Sequence, residues 1–94
     1  MTDLLTSSRI PYAVTLTATT TAAAVGSPLQ DLVEVLIQAH PDNTVNVLIG
    51  NASVQCWVME PGDYISWPIR NPALIYAKTA SGTAVVNLVG RGGE

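Results

Sequence analysis

Apolar and polar side chains alternate at a period of two along most of the chain, the period of a strand with one buried face. In residues 12–19, Tyr12, Val14, Leu16 and Ala18 face one way, and Ala13, Thr15, Thr17 and Thr19 the other. Val45–Ile49 predicts a further strand. Ser53–Met59 predicts another, with Val54, Cys56 and Val58 on one face and Gln55 and Trp57 on the other. Tyr64–Pro68 reads as a short strand with Pro68 at an end or edge. Leu74–Lys78 and Ala84–Val89 complete the set. Breakers separate these runs: Gly26-Ser27-Pro28, Gly50-Asn51, Glu60-Pro61-Gly62-Asp63, Asn71-Pro72 and Ala80-Ser81-Gly82-Thr83. Proline presets φ and glycine supplies positive φ, so the Pro61-Gly62 pair is the strongest turn signal. Thr19–Ala24 reads as a plain connector. Short strands at a spacing of about 8–12 residues imply an antiparallel sandwich or barrel, with the second half running as a meander.

Residues 29–40 fit two periods. Leu29, Leu32, Val33, Leu36 and Ile37 match a helical stripe, with Ser27 placed to cap it and Pro28 at its first position. Val33, Val35, Ile37 and Ala39 also alternate at strand period against Glu34, Gln38 and His40. The pattern alone favours the helix slightly, while the turn signal His40-Pro41-Asp42-Asn43 and the plain strand beyond it push towards β.

Residues 1–11 show no apolar period and end at Pro11, which predicts an extended N-terminal arm. Residues 12–94 form one domain, and the glycine-rich residues 90–94 read as a short flexible tail. The start, Met1-Thr2-Asp3-Leu4-Leu5, lacks the basic region and apolar run of a secretory signal. No apolar run is long enough for a transmembrane helix.

Composition narrows the class. Of 94 residues, 48% are hydrophobic and only 12% charged, with a net charge of -3, so the chain is globular rather than disordered. Phenylalanine is absent, and the large aromatics are Trp57, Trp67, Tyr12, Tyr64 and Tyr76. A thin core of Val, Ala and Leu barely offsets the entropy of ordering such a chain. Cys56 is alone, so no disulfide framework assists, and self-association or a larger partner is the expected remedy.

The search for chemistry yields little. His40 is the single histidine, and no ligand spacing joins it to Cys56 or a carboxylate, so no metal is expected. The turn at Glu60–Asp63 is similar to turns of cupin barrels, yet the His-x-His pair of cupin metal sites is missing. Cys56 has no lysine or arginine near it in sequence and reads as a buried, unreactive thiol. Glu60 and Asp63 flank one tight turn rather than a cleft, and Asp42-Asn43 fits an Asx turn. Gly90–Gly93 matches no phosphate-binding pattern, and four basic residues offer no nucleic-acid face. Asn51-Ala52-Ser53 is a chance glycosylation sequon. Trp57 and Trp67 are candidates for a coplanar sugar-binding row, against core or subunit contacts. No catalytic residue and no cofactor is expected.

The stretch from Val35 to Val89 carries a pattern of its own: Val35–Gly50 around Asn43-Thr44, then Glu60-Pro61-Gly62-Asp63-Tyr64-Ile65-Ser66-Trp67-Pro68, then Leu74-Ile75-Tyr76-Ala77 and Ser81-Gly82-Thr83 before the last strand. It resembles small β-sandwich virion proteins of tailed bacteriophages, particularly capsid decoration (cement) and head-associated proteins. The resemblance covers roughly three-fifths of the chain and rests on turn and strand motifs. It implies an all-β fold, a small antiparallel β-sandwich or jelly-roll-like barrel with an extended N-terminal arm, and it makes residues 29–40 a strand. It also implies a homotrimer bound to the major capsid protein on the outside of the virion, made in the host cytoplasm, with no nucleic-acid, membrane or small-molecule partner. Leu4, Leu5, Arg9, Ile10, Tyr12 and Trp67 are the expected partner contacts, the arm lying along the capsid or a neighbouring protomer. A receptor- or carbohydrate-binding module of a tail fibre is the alternative, and a small cupin-like enzyme a remote one.

Overall fold

The computed structural model describes residues 12–27, 32–69 and 71–92. The expected arm, with Leu4, Leu5, Arg9 and Ile10, lies outside them. Eight strands run in chain order: β1 (Tyr12–Ala18), β2 (Ala23–Ala24), β3 (Leu32–Ala39), β4 (Val47–Gly50), β5 (Gln55–Met59), β6 (Tyr64–Trp67), β7 (Tyr76–Lys78) and β8 (Ala84–Gly92). They form two antiparallel four-stranded sheets, ordered β1-β8-β3-β6 and β2-β7-β4-β5. This is the order of the double Greek key, the jelly roll. The chain is an all-β sandwich, as the alternating pattern predicts.

The meander expected for the second half is not what forms. Consecutive strands mostly alternate between sheets, and β4–β5 is the sequence-adjacent pair that shares one. Period-two alternation says which face of a strand is buried; it carries no information about which strand lies beside it. Residues 32–39 are strand rather than helix, with Val35, Ile37 and Ala39 buried and Glu34 and Leu36 exposed. The connector at Thr19–Ala24 contains β2, too short to show any period.

The last strand does not stop at Val89. It continues through Gly90, Arg91 and Gly92, so this part of the expected flexible tail is ladder. Gly90 pairs with Tyr12 on one side and Val35 on the other, and Gly92 pairs with Leu32. A central strand tolerates glycine where its neighbours supply the hydrogen bonds on both sides.

The core lies between the sheets. Ile37, Val35, Val86 and Leu88 of the first sheet face Val47, Ile49, Ala77 and Met59 of the second. Ala18, Val25, Ala39, Ile75 and Ala84 complete the buried cluster. No aromatic ring is among the fully buried side chains described. Tyr12, Ile65 and Trp67 are half-buried and pack against the rim of the cluster. No helix described is long and apolar enough to cross a membrane.

Candidate interaction surface

The strand order gives the sandwich two unlike poles. At one, tight polar turns connect the strands. Asp63 Oδ2 accepts from the Glu60 N–H at 2.9 Å, and the Glu60 carbonyl accepts from the Asp63 N–H at 2.9 Å. Gly62 sits between them at φ 91°, a left-handed conformation that costs glycine nothing. Both residues are exposed and flank this one turn, which the Asp63 carboxylate and the Glu60 backbone hold, so they form no cleft-spanning pair. His40 is a turn residue, its Nδ1 accepting from the Asp42 N–H at 3.0 Å. The Asx reading at residues 42–43 needs revision. The side chain that acts is Asn43, whose amide reaches across to Val85 of β8. Its Oδ1 accepts from the Val85 N–H at 2.8 Å, and its Nδ2 donates to the Val85 carbonyl at 3.0 Å. One side-chain amide thus continues the ladder where β3 has ended.

The other pole is apolar. Here the segment after β6 crosses to the second sheet through a short 3-10 helix, Pro72–Leu74, capped by Asn71, whose Oδ1 accepts from the Ala73 N–H at 3.0 Å. The predicted strand start at Leu74 is therefore helix, and β7 begins at Tyr76. Pro72 is buried against Gly26: a Cβ on Gly26 would stand 2.5 Å from the Pro72 Cβ and 3.1 Å from the Tyr12 hydroxyl. That hydroxyl accepts from the Ser27 N–H at 2.7 Å. Tyr12 is a half-buried strut of this pole. Beside it opens a shallow groove of about 360 Å³, lined by Gly50, Trp67, Pro68, Ile69, Leu74 and Ile75. Every lining residue described is uncharged, and Leu74 is 58% exposed.

A second apolar surface follows β5, an outer strand of its sheet. Val54, Trp57 and Val58 are 55%, 55% and 53% exposed. The register explains how. Val47 pairs with Met59 and Ile49 with Trp57, but Gly50 pairs with Gln55, so Cys56 is the extra residue of a bulge. The bulge breaks the alternation expected for Ser53–Met59. It also overturns the expected burial of Cys56, which is exposed on this edge. Trp57 faces the same side as Ile49 but lies at the rim, where the second sheet ends.

Trp57 and Trp67 do not form one coplanar row, because β5 and β6 belong to different sheets. The outer face of the first sheet carries a different row. Thr15 Oγ1 donates to Asn87 Oδ1 at 2.9 Å, and Asn87 Nδ2 donates to Gln38 Oε1 at 3.3 Å. Gln38 stands opposite Tyr64, 71% exposed on the neighbouring edge. Next to this row lies an apolar one, Ala13–Val89–Leu36. An ion pair, Arg91–Glu34 at 3.5 Å, stands exposed beyond it and contributes little.

Asn51 Oδ1 accepts from the N–H groups of Ser53 and Val54, both at 2.8 Å, so the sequon asparagine shapes the β4–β5 turn. Among the described residues, no three His, Cys, Asp or Glu side chains group closely enough to hold a metal ion. Of the six expected contact residues, the described structure brings Tyr12 and Trp67 to the same pole. The β5 edge escaped sequence reading, because Val54, Cys56 and Val58 carry the signature of a core face. No protein-family model, curated protein or solved structure matches the chain.

Proposed function

We propose that the chain is a non-enzymatic structural protein of a virion, a decoration protein seated on the outer surface of a tailed-phage capsid as a homotrimer. The observation that supports this most is the β5 edge. Three large apolar side chains, each more than half exposed, lie on and just before an outer strand, Trp57 and Val58 within it and Val54 ahead of it, and residues 54–59 carry no charge. Monomers blunt such edges with lysine, proline or short strands, whereas proteins completed by neighbours leave them open. The apolar groove at the pole bearing Tyr12 and Trp67 is a second surface of the same character. Jelly rolls serve as capsid and lectin domains and as cupins, so the fold alone does not choose among them. The choice rests on these surfaces together with the resemblance of residues 35–89 to decoration proteins. The host cytoplasm is the place of synthesis in this reading, and the major capsid protein is the principal partner.

Mixing the protein with procapsids and with expanded capsids, then sedimenting, tests this. Binding to the expanded form alone is expected. Trp57→Asp weakens it about tenfold or more, as loss of a central aromatic anchor does, while Thr17→Asp on the far edge leaves it unchanged. Absence of sedimentation with either form removes the proposal. The fibre-module reading is favoured by one observation, the Thr15–Asn87–Gln38 row ending at exposed Tyr64. Saturable glycan binding abolished by Tyr64→Ala would establish it in place of the first.

A further inference from the structure

The groove at the apolar pole lies where residues 1–11 join the sandwich. We propose that it is the docking site for the chain's own N-terminal segment, with Leu4 and Leu5 seated against Trp67 and Leu74. This goes beyond the capsid reading and does not depend on it.

Position is the first argument. β1 begins at Tyr12, whose hydroxyl is fixed by the Ser27 N–H and stands near Gly26. Gly26 packs on Pro72, the first residue of the 3-10 helix, and Leu74 at the end of that helix lines the groove. The entry point of the segment and the wall of the groove are thus parts of one packed unit. Release is the second argument. Pro11 has no N–H, so it has no donor to offer a further rung between β1 and β8. Reach is the third. Leu5 lies seven residues before Tyr12, and a chain of that length spans at most about 25 Å. A tether this short gives a local concentration on the order of millimolar, which favours the chain's own groove over a neighbour's. Composition is the fourth. The lining residues described carry no charge, and the segment offers Leu4, Leu5 and Ile10 as apolar side chains with nothing else in their local pattern to cover them.

Trp67 is the reporter. The chain holds two tryptophans, so Trp57→Phe leaves Trp67 as the sole emitter. In that background, three proteins are compared: the full chain, one lacking residues 2–10, and the full-length Leu4→Asp/Leu5→Asp variant. The last keeps every residue of the sandwich, so a folding defect of the truncated form does not decide the outcome. Circular dichroism confirms that each is folded. Both changes are expected to move Trp67 emission to the red and to raise its quenching by acrylamide about twofold, as removal of an apolar cover exposes the ring. The effect is expected to be independent of protein concentration. Unchanged emission and quenching in both variants overturn the proposal. A difference that disappears on dilution also overturns it, because the occupant is then the segment of a second copy.

Discussion

Asn43 illustrates how far one side chain departs from what its neighbours in sequence suggest. Its amide takes the place of a missing strand residue beside Val85, bonding both the N–H and the carbonyl. The carbonyl has a second donor, the His40 N–H at 3.0 Å, whereas the Val85 N–H depends on Asn43. Asn43→Ala therefore orphans one half-buried donor and is expected to cost about 1–3 kcal/mol, read as a lowered urea midpoint. Asn43→Asp keeps the acceptor and loses the donor that faces the carbonyl, so an intermediate loss is expected. Sequence reading placed a turn here correctly but assigned the local bond, because an Asx turn is local and this contact spans 42 residues. Cys56 failed for a related reason. Apolar alternation marks a face without saying which one turns inward: the register puts Trp57 and Met59 on the side of Ile49 and Val47, so Val58, opposite Leu48, faces out, and the bulge that leaves Cys56 unpaired is not visible in the letters.

Elements were legible where period and breaker agreed. β1, β4, β6 and β8 were found from alternation, and the Pro61-Gly62 and Ser81-Gly82 turns from the backbone needs of glycine, at φ 91° and 69°. β2 was hidden by its length. β8 was cut short because Gly90 and Gly92 look like linker, while two flanking strands make them rungs. The candidate surfaces were less legible than the fold: Trp67 was picked out, but Val54, Trp57 and Val58 become a surface only once β5 is known to be an edge. The β4–β5 hairpin also gives glycines unequal weight. A Cβ on Gly50 would collide with the Val54 carbonyl, a backbone group that cannot move aside, whereas one on Gly82 meets nothing within 4 Å. Gly82→Ala is expected to cost about 1 kcal/mol from its positive φ alone. Gly50→Ala costs more and opens the bulge, which thermal melts and the amide exchange of Asn51–Trp57 report together.

At the scale of the molecule, the two poles divide the chemistry. Polar turns with satisfied caps close one end, and the apolar groove, Tyr12 and the end of β8 share the other. The outer strands β5 and β6 flank one long side of the sandwich, where Trp57 and Trp67 each lie half out of the core. A chain with a thin, Phe-free interior thus keeps its rings at the rims, where a partner surface gains most from them. None of this division is periodic along the chain, which is why the alternating pattern gave sheets and faces but no poles.

The pairing of β1 with β8 sets how the fold is reached. Tyr12 meets Gly90 and Ala18 meets Ala84, so the first and last strands described are neighbours that almost the whole chain must bend to join. Such closure is slow, and refolding on the millisecond-to-second scale is expected. Chain order and spatial order can be separated here. The two strands lie about 5 Å apart, and the exposed Ala80–Thr83 turn carries no strand. A circular permutant joined across the apolar pole and opened between Ser81 and Gly82 makes β8 and β1 a hairpin while keeping every rung. Its refolding, followed by tryptophan fluorescence, is expected to be faster than that of the parent at similar stability. The architecture would then be shown to belong to the set of contacts, with the present linear order being one of several threadings that can realise it.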